Sequence, residues 1–100
     1  MRVNTQSVNF NADQKLIDFI EKRLNKLDRY YDKVLSTDVF LKVENTSDKK
    51  NKIFEARVHV PGDSFVVKKV CKTFEEGADS AVSSLERQLI KRKQKIRPHL

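Results

Sequence analysis

Residues 53–71, IFEARVHVPGDSFVVKKVC, decide the fold. From Ile53 to Val60 the side chains alternate. Phe54, Ala56, Val58 and Val60 face one way and Ile53, Glu55, Arg57 and His59 the other, the period of two expected of a strand with one face in a core. Pro61-Gly62-Asp63-Ser64 reads as a tight turn, because proline presets φ at the first central position and glycine accepts positive φ at the second. The chain then returns as a second strand from Phe65 to Cys71. The segment is thus a hairpin with an apolar and a polar face.

Working outward, Thr37 to Glu44 alternates Val39, Leu41 and Val43 with Phe40, Lys42 and Glu44. It predicts another strand, joined to the hairpin by a polar loop from Asn45 to Lys52. Met1, Val3 and Thr5 alternate with Arg2, Asn4 and Gln6 in a short opening strand ending near Ser7. Between Asn11 and about Val34 the period becomes helical. Leu16, Ile20, Leu24, Leu27 and Tyr31 recur at spacings of three and four on one face, with Asn11 as the cap. Past the hairpin, Thr73 and Glu76 form a capping-box pattern. Phe74, Ala78, Ala81, Val82, Leu85, Leu89 and Ile96 then make one apolar stripe that Pro98 ends. Gly77 sits early in this helix, where glycine costs about 1 kcal/mol relative to alanine, and predicts a loose start.

The order is β-α-β-β-β-α, and each helix has a single apolar stripe. The expected class is α+β: a two-layer sandwich with a four-stranded mixed sheet and both helices packed on one face, like a double-stranded-RNA-binding domain. A right-handed crossover through the first helix sets the opening strand parallel to a neighbour, and the other three strands form an antiparallel meander.

A chain of 100 residues with 38% hydrophobic character has room for one domain and one modest core. That excludes a multidomain enzyme and favours a surface binder. Its single cysteine, Cys71, forms no internal disulfide, and residues 1–10 lack the apolar run of an export signal. No apolar stretch approaches the roughly 20 residues of a membrane span. A cytoplasmic protein without a membrane partner is expected.

Lys and Arg number 21 against 14 Asp and Glu, a net +7 that calls for a polyanionic partner. Its location is more informative than its size. At 100° per residue, Lys15, Lys22, Lys26, Arg29 and Lys33 fall within an arc of about 60° opposite the first helix's apolar stripe. The second helix ends in Arg87-Gln88-Leu89-Ile90-Lys91-Arg92-Lys93-Gln94-Lys95-Ile96-Arg97, six basic residues and no acid. Arg87, Lys91 and Lys95 stand in a row at i, i+4 and i+8, about 12 Å along the axis, with Lys93 and Arg97 on its flank. One or two cations answer the helix dipole. Six exceed that need and predict a nucleic-acid or ribonucleoprotein surface across both helices.

Catalysis and cofactors find little support. Cys71 and His59 have no catalytic signature around them, and Cys71 reads as a small buried residue. One cysteine with the distant His59 and His99 lacks zinc-like spacing, and no glycine-rich phosphate loop exists. A non-enzymatic protein with no cofactor, metal or small-molecule substrate is expected.

Several motifs resemble a known family in their order. These are Lys26-Leu27-Asp28-Arg29-Tyr30-Tyr31-Asp32, Leu41-Lys42-Val43-Glu44, His59-Val60-Pro61-Gly62, and Leu85-Glu86-Arg87-Gln88-Leu89 followed by Lys91, Lys93 and Lys95. Over essentially the whole chain they resemble the hibernation promoting factor and ribosome-associated inhibitor family, which includes protein Y and the sigma-54 modulation proteins. The resemblance implies a stationary-phase or stress factor on the small ribosomal subunit, between head and body where messenger and transfer RNA lie. Such a factor blocks translation reversibly and protects idle ribosomes. The family's contacts to ribosomal RNA correspond here to Lys22, Lys26, Arg29, Arg87, Lys91 and Lys95, with Lys93 beside them. Tyr30 matches an aromatic position, open to two readings: stacking on a base or ribose, or edge packing against the second helix. Where family members often carry Asp-x-Tyr near the second helix start, this chain has Thr73-Phe74-Glu75, so no contact is carried over there. The resemblance also implies a short-type protein, one ribosome-binding domain without a C-terminal dimerisation domain, monomeric off the ribosome. Two other binding classes fit the residues: a general double-stranded RNA module, and a protein-interaction domain using the outer sheet face around Phe40 and Ile53.

Overall fold

In the computed structural model, which describes residues 1–44 and 51–96, the chain runs β1 (Arg2–Val8), α1 (Gln14–Asn25), a 3-10 turn (Lys26–Arg29), β2 (Ser36–Val43), β3 (Lys52–Val60), β4 (Asp63–Cys71) and α2 (Phe74–Ile96). The β-α-β-β-β-α order is as expected. One sheet has the order β1-β2-β3-β4, with β1 parallel to β2 and the other pairs antiparallel. The register aligns Thr5, Val39, Ala56 and Val67 across the sheet on the core side, and Gln6, Phe40, Glu55 and Lys68 on the outer side. Strand alternation thus sorts the two faces as the sequence indicates.

The core is one cluster. Val39, Leu41, Phe54, Ala56, Val58, Val60 and Val67 meet Ile20, Leu24 and Leu27 from the first helical segment and Phe74, Ala78, Ala81, Leu85 and Leu89 from α2. Val60 pairs with Asp63, so Pro61 and Gly62 hold the two central turn positions as expected, while β4 begins at Asp63, two residues before the Phe65 start read from the sequence. Gly62 takes the positive φ of 78° that the turn requires.

Three local expectations are corrected. Asp13, not Asn11, caps α1: its carboxylate accepts from Leu16 N at 2.8 Å, and Phe10, upstream of it, stacks on Phe74 at 5.1 Å. The first helix stops at Asn25 instead of running to Val34. It tightens into the 3-10 turn, where Tyr30 N donates to Leu27 O at 3.0 Å, and the chain then peels back to β2 with Leu35 N bonded to His59 O. The turn to β2 keeps Leu27, Tyr31 and Val34 all buried. Gly77 does not loosen α2. It is buried, and a Cβ there would lie 2.6 Å from Cys71 Sγ and 2.9 Å from Phe54 Cβ. The glycine lets the helix approach the sheet closely, an advantage that outweighs its poor propensity. Glu76 N donates to Thr73 Oγ1 at 3.1 Å, one of the two bonds of the expected capping box. The loop at residues 45–50, Arg97, Pro98 and His99, and the side chain of Ile96 lie outside the described residues.

Candidate nucleic-acid interface

One hollow near both helix N-termini is lined by residues 10–13, Lys15, Leu16, Phe19 and Glu75, and a second near both C-termini by Arg29, Tyr30, Ile90, Lys93 and Gln94. The two helical segments therefore lie side by side in the same direction, with their negative dipole ends together. The predicted cations gather at that end. Lys22, Lys26 and Arg29 are exposed on the first segment, and Arg87, Lys91, Lys93 and Lys95 on α2. Among the described residues, none of these seven cations makes an ion pair with a carboxylate. Arg87 reaches only Ser84 Oγ, at 3.4 Å. Their charge stays available to a polyanion.

The 60° arc of the first helix does not survive intact. A wheel of 3.6 residues per turn stops applying at Asn25, so Arg29 follows the tighter geometry of the 3-10 turn and Lys33 lies beyond it. Lys15 stands at the far end, lining a hollow of about 480 Å³ with Phe10, Leu16, Phe19, Asp13 and Glu75. This is the largest of the hollows described here, yet its two carboxylates would repel a phosphate chain.

Two arginines pair within the fold: Arg92, counted from the sequence among the six cations of a nucleic-acid surface, is turned back to the hairpin, and Arg23, not singled out from the sequence, bridges the helices. Arg92 Nη2 donates to Pro61 O at 2.8 Å, Nη1 to Asp63 Oδ2 at 3.2 Å and Nε to Tyr31 Oη at 3.4 Å, while the guanidinium lies 6.0 Å from the Phe65 ring centre. It fastens the end of α2 to the hairpin. A signal for this was present: Leu85, Leu89, Arg92 and Ile96 share the spacing of the apolar stripe. Arg23 pairs with Asp79 at 3.4 Å and lies 4.9 Å from the Phe19 ring centre, joining α1 to α2.

Tyr30 lies at the junction of the 3-10 turn and α2. It is 36% exposed, and the Glu86 carboxylate of α2, as hydrogen-bond acceptor and as charge, pushes its phenol above the ordinary pKa. Its ring stands at the hollow of about 270 Å³ between the 3-10 turn and α2.

The outer sheet face is a separate surface. Phe40 is half-buried there, and Ile53, expected to be exposed, is only 6% accessible between its register neighbours Lys42 and Val70. Asp38 accepts from Asn4 at 3.2 Å and bonds His59 at 2.9 Å, contacts that lower its pKa. His59 and Cys71 belong to opposite faces, so no Cys-His dyad forms. The thiol is 4% accessible and its pKa is raised, chiefly by burial. No group of three metal-ligating side chains and no membrane-spanning helix occurs among the described residues.

Residues 3–97 match the family model described as sigma 54 modulation protein / S30EA ribosomal protein. The chain belongs to this family. Curated relatives named ribosome hibernation promoting factor include one from Azotobacter vinelandii, 30% identical over 95% of this chain and 85% of its own length. Another, from Escherichia coli K12, is 27% identical over 99% of this chain and all of its own. Two solved structures of similar fold are a ribosomal subunit interface protein from Coxiella burnetii (TM-score 0.82, 21% identity, 94% of this chain and 99% of that one) and the N-terminal domain of Thermus thermophilus protein Y (TM-score 0.79, 27% identity, 91% and 98%). The recognised family, the mixed sheet and the two-helix layer thus agree.

Proposed function

We propose that this chain is a ribosome hibernation factor, a single cytoplasmic ribosome-binding domain that docks on the small subunit along the messenger and transfer RNA path. It blocks translation reversibly and protects idle ribosomes by occupying that path, without chemistry of its own. The observation that carries this reading is the set of seven exposed cations, Lys22, Lys26, Arg29, Arg87, Lys91, Lys93 and Lys95, free of carboxylate partners among the described residues and borne by two neighbouring helical segments. The names of the relatives supply the partner. Ribosomal RNA is the component whose charge matches.

Phosphate neutralisation by seven side chains gives a slope of log affinity against log salt of about −5 to −6, a loss of roughly a thousandfold between 50 and 200 mM. The test is cosedimentation with small subunits across that range. Lys91→Glu with Lys95→Glu, both on exposed helix surface, should abolish binding and leave the melting curve unchanged. Unchanged binding sinks the proposal and favours a protein partner on the outer sheet face. Equal binding to free duplex RNA points instead to a general double-stranded RNA module.

A further inference from the structure

The hollow between the 3-10 turn and α2 has a composition unlike the others described here. Tyr30 and Ile90, 36% and 37% exposed, are apolar walls, Arg29 and Lys93 are cations, Gln94 offers an amide, and no carboxylate lines it. The hollows of about 480, 230 and 170 Å³ elsewhere include Asp13 and Glu75, Glu44 and Glu55, and Asp38 respectively. Its volume, about 270 Å³, falls just below the roughly 300–1,000 Å³ of sites that enclose a drug-sized ligand. A single planar base is the better fit. Tyr30 is 36% exposed, so part of its ring is open to a stacking partner.

We infer that this hollow is a nucleotide subsite, in which one unstacked base of single-stranded RNA lies against Tyr30 and Ile90 while its phosphates meet Arg29 and Lys93. Gln94 offers a donor and an acceptor to the base edge, chemistry that a lysine row on a helix lacks. Bases within a duplex are covered by their neighbours, so the subsite selects loops, bulges or single strands. The inference rests on the proposed RNA-binding role and assigns the Tyr30 side of that surface a task the lysines do not perform. Stacking works through a neutral ring and releases no counterions, so its loss lowers affinity without changing the salt slope.

The chain has two tyrosines and no tryptophan, and Tyr31 is only 5% exposed. Intrinsic tyrosine emission is therefore a direct probe of Tyr30. A 12-nucleotide single-stranded RNA of mixed sequence, titrated at low salt, should quench the wild-type signal. It should leave Tyr30→Phe, which retains only Tyr31, unquenched while that variant still binds by anisotropy of labelled RNA. In cosedimentation with ribosomes, Tyr30→Ala should lose about 5- to 150-fold in affinity at unchanged salt slope, and Tyr30→Phe should stay close to wild type. Binding of the RNA without quenching, or wild-type ribosome affinity in Tyr30→Ala while the Lys91 and Lys95 reversals abolish binding, overturns the subsite alone. If those reversals also bind normally, the RNA-binding role fails with it.

Discussion

Lys91 and Arg92 are adjacent cations in one basic run, and replacing each with alanine should give opposite phenotypes. Arg92 donates a charged hydrogen bond of 2.8 Å to Pro61 O, with side-chain accessibility of only 20%. Such bonds contribute about 1.5–3 kcal/mol. The Asp63 partner is 52% accessible, so that ion pair adds under about 1 kcal/mol after screening. Pro61 is exposed, so its freed carbonyl recovers water, placing the net loss near 2 kcal/mol. For a domain of this size that lowers Tm by about 8–16 °C. Arg92→Ala should therefore melt early, yet bind ribosomes with the wild-type salt slope at a temperature where it is folded. Lys91→Ala, on exposed surface, should shift stability by less than about 0.5 kcal/mol and reduce the slope by about 0.7–0.9. Thermal melts followed by circular dichroism, paired with cosedimentation at several salt concentrations, separate the two. If Arg92→Ala reduced the slope as Lys91→Ala does, or left Tm unmoved, the division into inward and outward cations would be refuted.

Gly77→Ala should lower stability by up to about 2 kcal/mol, since overpacking of about 1–3 kcal/mol against Phe54 Cβ offsets or exceeds the roughly 1 kcal/mol gain in helix propensity. A urea melt checks it, and a stabilised variant would mean that α2 moves aside freely. The Cys71 thiol, buried and with a raised pKa, should react with iodoacetamide about 100-fold or more slower than in the urea-unfolded chain. Native labelling at the unfolded rate would contradict the packed interior. Asp38 has its folded pKa depressed by the hydrogen bonds of His59 and Asn4, so its contribution is present above the unfolded value near 3.9 and is lost as pH falls through the lower folded value. Asp38→Asn should flatten the acid limb of Tm against pH below about 4, modestly because the pair is about one-third accessible. An unaltered limb counts against this origin.

Residues whose periodicity matched their final element were the legible ones. Phe54, Ala56, Val58 and Val60 alternate in sequence and all lie buried on the core face, because a strand preserves a period of two without help from its neighbours. The first helix misled at its end. Leu24 and Leu27 are three apart, a spacing common to α and 3-10 geometry, so the change of pitch at Asn25 left no mark, and the calculated position of Arg29 drifted with it. Gly77 looked unfavourable because propensity treats a helix alone, whereas its fitness depends on Cys71 and Phe54 from the sheet beneath. The influence of Glu86 on the Tyr30 phenol joins residues 56 positions apart. No local pattern carries such a pair. The exposure of the lysines was legible because long cations on a solvent face need no tertiary partner to remain exposed.

The basic surface is divided between two segments, so it serves as one surface only if the helices keep a fixed spacing. Net charge cannot supply that, because like charges at neighbouring helix ends repel. Buried contacts and two arginines paired within the fold oppose the repulsion. Leu24, Leu27, Leu85 and Leu89 fill the shared core, Arg23 crosses from α1 to Asp79, and Arg92 ties the end of α2 to the hairpin. A folded RNA presents phosphates at fixed positions, and a pre-set array of cations loses less entropy on meeting them than a flexible basic tail would. In the proposed binding mode the two arginines act on the interface through geometry, and the seven exposed cations act through charge. That separation is why a count of +7 is a poor measure of what this chain offers a polyanion.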